Sequence, residues 1–260
     1  MDELCLDIVN IIFNELDFLS KIRFRQIKKY FHDKLNIIDF YDIDQKYLVL
    51  LTDEILKNYK NIKYLNASKN YKIKKINHMT NLKRLNCNHG CDITDDDIKN
   101  LDLVELSAND NSKIKIINHM KNLKHLDCRW NCGIDDDNIK DLDLINLLAS
   151  GNSKIKKINH MKNLKQLNCS YSCGITDEDI TKLDLIKLCS YNNKKISKID
   201  HMRNLKILNC GEKSGINNNS IKNLNLNELY KRGNTKVTKF EHMTNLKLLN
   251  GWCSKFNYSL

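Results

Sequence analysis

Apolar residues recur along most of this chain in two alternating patterns. One reads Leu82-x-x-Leu85-x-Cys87 and continues Ile93-Thr94-Asp95-Asp96-Asp97-Ile98-x-x-Leu101. The other reads Leu103-x-x-Leu106-x-Ala108-x-x-Asn111-x-x-Ile114-x-x-Ile117-x-x-Met120. Both open on a short strand with its first, fourth and sixth positions inward, the fourth and sixth because side chains alternate faces along a strand. The patterns then diverge. Thr94-x-x-Asp97 before an apolar residue has the form of a capping box with Asp in place of Glu, so a short helix is expected there. The period of three in the second pattern suits a 3₁₀ turn or extended backbone. One unit of each kind spans 41 residues, and the dipeptide His-Met, at 78, 119, 160, 201 and 242, marks that interval along the chain. A fixed period held this far predicts stacked repeats.

The shared opening is L-x-x-L-x-L-x-x-N/C, the leucine-rich-repeat signature. The first kind of unit resembles the cysteine-containing class of these repeats, with Ile93-Thr94-Asp95 opening a helix on the convex side. The resemblance covers residues 62–252, in units that begin at Ile62, Leu82, Leu103, Leu123, Leu144, Leu164, Leu185, Leu205, Leu226 and Leu246. It implies an α/β solenoid, with a parallel sheet on the concave face and short helices and turns behind it. Helices are wider than extended segments, so the backbone is expected to curve with the strands inside. Residues 35–61 read as a degenerate capping repeat, with a strand at Leu35-x-x-Ile38-x-Phe40 and a helix after Thr52. Residues 253–260 form a tail, and Trp252, Phe256 and Tyr258 are expected to fold over the open end.

Several repeated residues invite a chemical reading and are better read as structure. The sixth position runs Ala67, Cys87, Ala108, Cys128, Ala149, Cys169, Ser190 and Cys210, a packing column in which a free thiol acts as a small hydrophobe. Lys231 breaks it, and is expected to reach past the strand to solvent or to loosen the array, because a lone buried ammonium is costly. The pairs Cys87/Cys91, Cys128/Cys132 and Cys169/Cys173 sit two strands apart, about 9.5 Å, so successive pairs cannot share a zinc ion. The His-Met histidines are separated in the same way and are read as holding a turn. The Asn70, Asn111, Asn152, Asn193 and Asn234 ladder is expected to satisfy backbone groups that stacking would bury. The acidic clusters at 95–97, 135–137 and 177–179 belong to helix starts, where negative charge is favourable. No metal and no cofactor is expected.

Residues 1–34 do not carry the repeat. Leu4, Ile8, Ile11, Ile12 and Leu16 fall at helical spacing, and a second helix is expected after Ser20. Such a segment is too short to hold a core alone and must lie on the repeats or on a partner. Leu4, Ile8, Ile12, Phe13, Leu16 and Leu19, with Lys29-Tyr30-Phe31 closing, resemble an F-box, the helical module that docks on the Skp1 adaptor of cullin-RING ubiquitin ligases. Family members usually carry Pro after the first Leu, where this chain has Cys5. The alternative is a plain helical cap on the first repeat. An F-box followed by leucine-rich repeats resembles the F-box/LRR substrate receptors, in this composition those of giant DNA viruses.

Composition narrows the classes further. The 260 residues contain no proline and carry a formal charge of +11. The charge raises a nucleic-acid reading through the lysine column Lys83, Lys124, Lys165, Lys206 and Lys247, against the simpler one that coding bias inflated surface lysine. The acidic start at Asp2-Glu3 and the absence of 18 consecutive apolar residues speak against a secretory leader and a membrane span. Ten cysteines that mostly recur with the repeat fit buried thiols in a reducing, intracellular compartment. The sequence shows no G-x-S-x-G, phosphate loop or H-E-x-x-H, so an enzyme is not expected.

Function is then expected where the periodic scaffold varies. The third, fifth and seventh positions line the concave face and differ from unit to unit, as a protein-binding solenoid requires. Tyr, Trp and Arg most often anchor interfaces. The candidate target-binding residues are therefore Arg84, His125, Arg129 and Tyr191, with Trp130 and Tyr171 that follow at the eighth position, and Leu4, Ile8, Ile12, Phe13, Leu16 and Leu19 are the candidate adaptor-binding set.

Overall fold

The computed structural model describes residues 3–59 and 61–249. The expected cap of Trp252, Phe256 and Tyr258 and the tail 253–260 lie outside them. Among the described residues, eleven short parallel strands form one open sheet in simple chain order, from Asp39–Phe40 to Lys247–Leu249. The register follows from the leucine pattern. The fourth-position leucines from Leu65 to Leu229 stand beside one another across the sheet. The two end units are offset from the register expected of them: Phe40, the expected sixth position of the first, lies beside Leu65, and Leu248, the expected third position of the last, lies beside Leu229. First, fourth and sixth positions are buried in every unit from Ile62 to Cys210, so the chain is a leucine-rich-repeat solenoid with one continuous core. Strand-like pairing runs on past the leucines. The sixth-position N–H donates to the next unit, as Cys87 does to the Ser107 carbonyl, and the eighth does likewise, as Trp130 does to the Ser150 carbonyl at 2.9 Å.

Behind the sheet the two kinds of unit differ as their patterns predict. First-type units carry one-turn helices at Asp95–Ile98, Asp136–Ile139 and Asn218–Ile221, and a 3₁₀ turn at Asp177–Asp179. The Asp97 carboxylate accepts from both the N–H and the hydroxyl of Thr94, at 2.9 and 2.8 Å. Second-type units have no helix and close by turns, in which Met79 donates to the Ile76 carbonyl and Leu82 to that of Met79. Side chains at the seams tie each unit to the next. Asp95 Oδ1, at a helix start, accepts the backbone N–H groups of Lys115 and Ile116. His119 and His160 place Nε2 3.3 and 3.2 Å from the carbonyls of Ile98 and Ile139, at helix C-termini where carbonyls lack intrahelical donors. Each ladder asparagine reaches into the preceding unit. The Asn152 Nδ2 donates to the carbonyls of Cys128 and Ile134, while its Oδ1 accepts from Lys154 N–H.

The thiols serve as packing groups. Cys87, Cys91, Cys128, Cys132, Cys169, Cys173, Cys189 and Cys210 are free and buried. Several thiols donate weakly to carbonyls, as Cys87 Sγ does to Ser107 at 3.1 Å and Cys91 Sγ to Cys87 at 3.2 Å. Lys231, the exception in the column, is half-buried and extends its ammonium to 6.0 Å from the Phe240 ring centre. That keeps the charge out of the core, as the desolvation argument requires.

Three helices stand at the N-terminal end: α1 (Glu3–Glu15), α2 (Phe18–Ile27) and α3 (Lys29–Lys34). The second begins earlier than Ser20. Asp17 is its cap, accepting from Ser20 N–H at 3.0 Å and from the Ser20 hydroxyl at 2.8 Å, so the serine stabilises the first turn from inside it. Phe13 is buried, Phe24 packs between it and Phe31, and Phe18 meets Phe40 edge-on at 5.4 Å. This aromatic wedge joins the helices to the first strand and closes that end of the core. No helix among the described residues is long and apolar enough to cross a membrane.

Candidate functional site

The two candidate surfaces lie on different parts of the molecule. The six residues named from sequence are divided between α1, the turn that follows it and α2, and they do not share one face. Phe13 is 1 % exposed and Leu16 is partly buried against the core, whereas Ile8, Ile11 and Ile12 are 55, 66 and 51 % exposed. Leu4 lies in the first turn of the same helix and Leu19 is half-buried on α2. The helix is therefore apolar on two sides. Leu6, Val9, Phe13 and Leu16 hold it to the repeats, and the isoleucines form a separate outward stripe. A helix apolar on both sides is normally enclosed on both.

On the sheet, the fifth position is more enclosed than expected. Ser107, Asp127, Leu148, Asn168 and Cys189 are all buried, as strands stacked about 4.8 Å apart cover one another's side chains. Arg84, His125 and Arg129 belong to a polar network on the early strands. Arg84 Nε donates to Glu105 Oε1 at 2.9 Å, and its guanidinium lies 3.7 Å from the Tyr41 ring centre. Arg129 grips Asp127 with two hydrogen bonds, at 2.8 and 2.7 Å. Burial raises the Glu105 carboxyl above its ordinary value, with Arg84 acting against the rise. Burial and then Arg84 lower the His125 imidazole, which favours its neutral form at neutral pH. These arginines thus serve internal carboxylates and present half-buried edges. Asp127 and Tyr41 have no signal in the repeat pattern, and Glu105, a third-position residue of the sheet face, is not among the candidates. Arg84 and Glu105 hold the same position in adjacent units, so opposite charge across a strand pair was the available signal.

Trp130, Tyr171 and Tyr191 form a different structure at the loop edge beyond the strands. Their rings make a continuous ridge, with centroids 5.2 Å apart for Trp130–Tyr171 and 5.5 Å for Tyr171–Tyr191. Glycines seat the ridge. A Cβ on Gly151 would stand 2.4 Å from Trp130 Cε3, and one on Gly211 would stand 2.9 Å from Tyr191 Cδ2. Trp130 and Tyr171 also occupy the eighth position, where φ is positive in every unit from Lys69 to Gly233. Asp110, Gly151, Asn192 and Gly233 take that conformation at low cost, whereas bulky side chains pay about 1–2 kcal/mol for it. Beside Trp130 lies an open depression of about 590 Å³, lined by Asp110, Trp130, Asn131, Gly151, Asn152, Ser153 and Lys154. Asp110 and the two seating glycines were not singled out in the sequence, since no local pattern shows which ring leans on which backbone.

The lysine column is partly committed to the fold. Lys83 Nζ and Lys124 Nζ reach the carbonyls of Asp102 and Asp143 at 3.4 and 3.3 Å. Among the described residues, no three His, Cys, Asp or Glu side chains gather as a metal site would require.

No protein-family model matches the chain, and no curated protein matches it. Among solved structures, the yeast complex of Rad7 and Elc1 is similar at 16 % identity and a TM-score of 0.43, over 96 % of this chain and 98 % of that one. An internalin (InlF) from Listeria monocytogenes is similar at 14 % identity and a TM-score of 0.39, over 78 % of this chain and 89 % of that one.

Proposed function

We propose that this protein is a non-enzymatic substrate receptor. In this reading α1 docks on a Skp1-like adaptor, and the sheet and its loop edge hold a target protein for ubiquitin transfer by the rest of the ligase. The observation that carries it is the outward stripe Ile8, Ile11 and Ile12, exposed on a helix whose other side is already fixed to the core. Burying the exposed half of each of these side chains against a partner is worth roughly 1–1.5 kcal/mol before the costs of association. The ridge Trp130–Tyr171–Tyr191 supports the target-binding half, because it places large aromatic anchors where the fold has no need of them.

The test is a pull-down of purified Skp1 by the full chain, beside Ile8→Asp with Ile12→Asp. Both positions are outward, so the variant keeps the fold, and circular dichroism checks that it does. Retention by the intact chain and loss in the variant supports the adaptor reading. A folded intact chain that retains no Skp1 defeats it.

A second reading is an LRR binding scaffold with no ligase link. It is favoured by the aromatic wedge of Phe13, Phe18 and Phe40, which gives the N-terminal helices a complete role as a cap. A nucleic-acid role is less well supported, because Lys83 and Lys124 serve backbone carbonyls. It would show as affinity falling steeply with salt.

A further inference from the structure

We infer that the depression beside Trp130 is an anchor site for an arginine side chain of the target protein. The inference rests on the target-binding half of the proposed function and specifies its chemistry. Trp130 stands at φ 56°, a conformation that the equivalent Asp110 and Gly151 adopt more cheaply. The repeat does not require an indole there. The indole is nevertheless held in place, resting on Gly151 and backed at 5.2 Å by Tyr171, which is itself backed by Tyr191. It keeps 44 % of its surface open. A preorganised ring loses little freedom when it binds.

The wall next to the ring is polar. The Asp110 carboxylate accepts from Asn131 N–H at 3.3 Å, and its other oxygen lies 3.7 Å from His89 Nδ1. Both it and the indole remain open to solvent. Lys154, the cation in the lining, directs its ammonium to the Cys132 carbonyl at 2.9 Å. The depression thus offers an aromatic face beside a carboxylate. A guanidinium satisfies both, stacking flat on the indole and forking onto the carboxylate. A ligand carboxylate would meet the charge of Asp110, and a purely apolar side chain would desolvate it without a partner. The chain's overall charge of +11 opposes a cationic ligand only at long range, and physiological salt screens that field within about 8 Å.

The test titrates the full ¹⁵N-labelled chain with N-acetyl-arginine amide, and in parallel with N-acetyl-citrulline amide, which is equally planar but uncharged. The readout is the Trp130 indole N–H resonance, assigned with Trp130→Phe. Arginine is expected to shift it saturably and to bind about fivefold more tightly than citrulline, as an exposed cation–π contact with a charge partner implies. Asp110→Asn is expected to abolish that preference, and Gly151→Ala to weaken arginine binding by displacing the ring. Equal binding of the two ligands, no shift at Trp130, or a preference that survives Asp110→Asn overturns the inference. The titration does not read α1, so its failure leaves adaptor binding standing, and a failed Skp1 pull-down leaves the arginine site standing.

Discussion

Asn152 gives the sharpest test of how the repeats are held together. It is 1 % exposed and makes three hydrogen bonds: Nδ2 to the Cys128 carbonyl at 2.9 Å, Nδ2 to the Ile134 carbonyl at 3.1 Å, and Oδ1 from Lys154 N–H at 3.0 Å. Asn152→Ala removes all three. A buried polar group left without its partner costs about 1–3 kcal/mol, so the substitution is expected to cost roughly 3–6 kcal/mol. That is a large part of the 5–15 kcal/mol or so that stabilises a typical domain. A solenoid unit contacts only its neighbours, so the loss falls on one interface in the middle of the stack and should lower unfolding cooperativity as well. Urea unfolding followed by far-ultraviolet circular dichroism measures both effects, with Asn131→Ala, at an exposed position in the preceding unit, as the control. A loss below about 1 kcal/mol would refute the reasoning, because three bonds in a dry interface cannot be that cheap.

Further outcomes follow from the same geometry. Burial pushes the Cys173 thiol up to about 11 from an ordinary value near 9, so its contribution is full below pH 9 and is lost as pH rises toward 11. Between those limits, urea unfolding should show wild type losing about 1.4 kcal/mol per pH unit relative to Cys173→Ala; parallel pH profiles would contradict this. Glu105 is raised by burial, so its contribution is present below the ordinary carboxyl range and is lost as pH rises through the raised value. The stability of wild type relative to Glu105→Gln should therefore fall from pH 4 to pH 7, and a difference that grows would show that Arg84 outweighs burial. Ile8→Asp with Ile12→Asp should leave the unfolding free energy within about 0.5 kcal/mol of wild type, as surface substitutions do; a large loss would mean that the stripe is part of the core.

Much of the scaffold was legible because each repeated residue has a local job. The leucine spacing carries the strands and their register, and Thr94-x-x-Asp97 carries a helix start within four residues. Other features depend on contacts between units, which a single period does not display. The period alone places the His119 imidazole at a turn, yet it also meets the Ile98 carbonyl of the preceding helix. The local pattern shows Asp95 only as a charge at a helix start, whereas its carboxylate also holds the backbone of the next unit. On α1, helical spacing alone could not divide the apolar residues between two faces. The inward choice of Phe13 depends on Phe24 and Phe31, which arrive from the next two helices. The candidate target residues likewise separated into a polar network and an aromatic ridge. That separation depends on the left-handed turn at Trp130 and Tyr171 and on the space above Gly151.

The central claim is that the isoleucine stripe of α1 meets an adaptor. Hydrogen–deuterium exchange of the full chain, with and without purified Skp1, tests it most directly. The account predicts that Skp1 slows exchange in α1 and leaves the strands from Arg84–Asn86 onward unchanged. Protection that falls on the sheet while α1 exchanges as before, or no protection anywhere, would contradict it and leave the N-terminal helices as the cap of a leucine-rich-repeat scaffold.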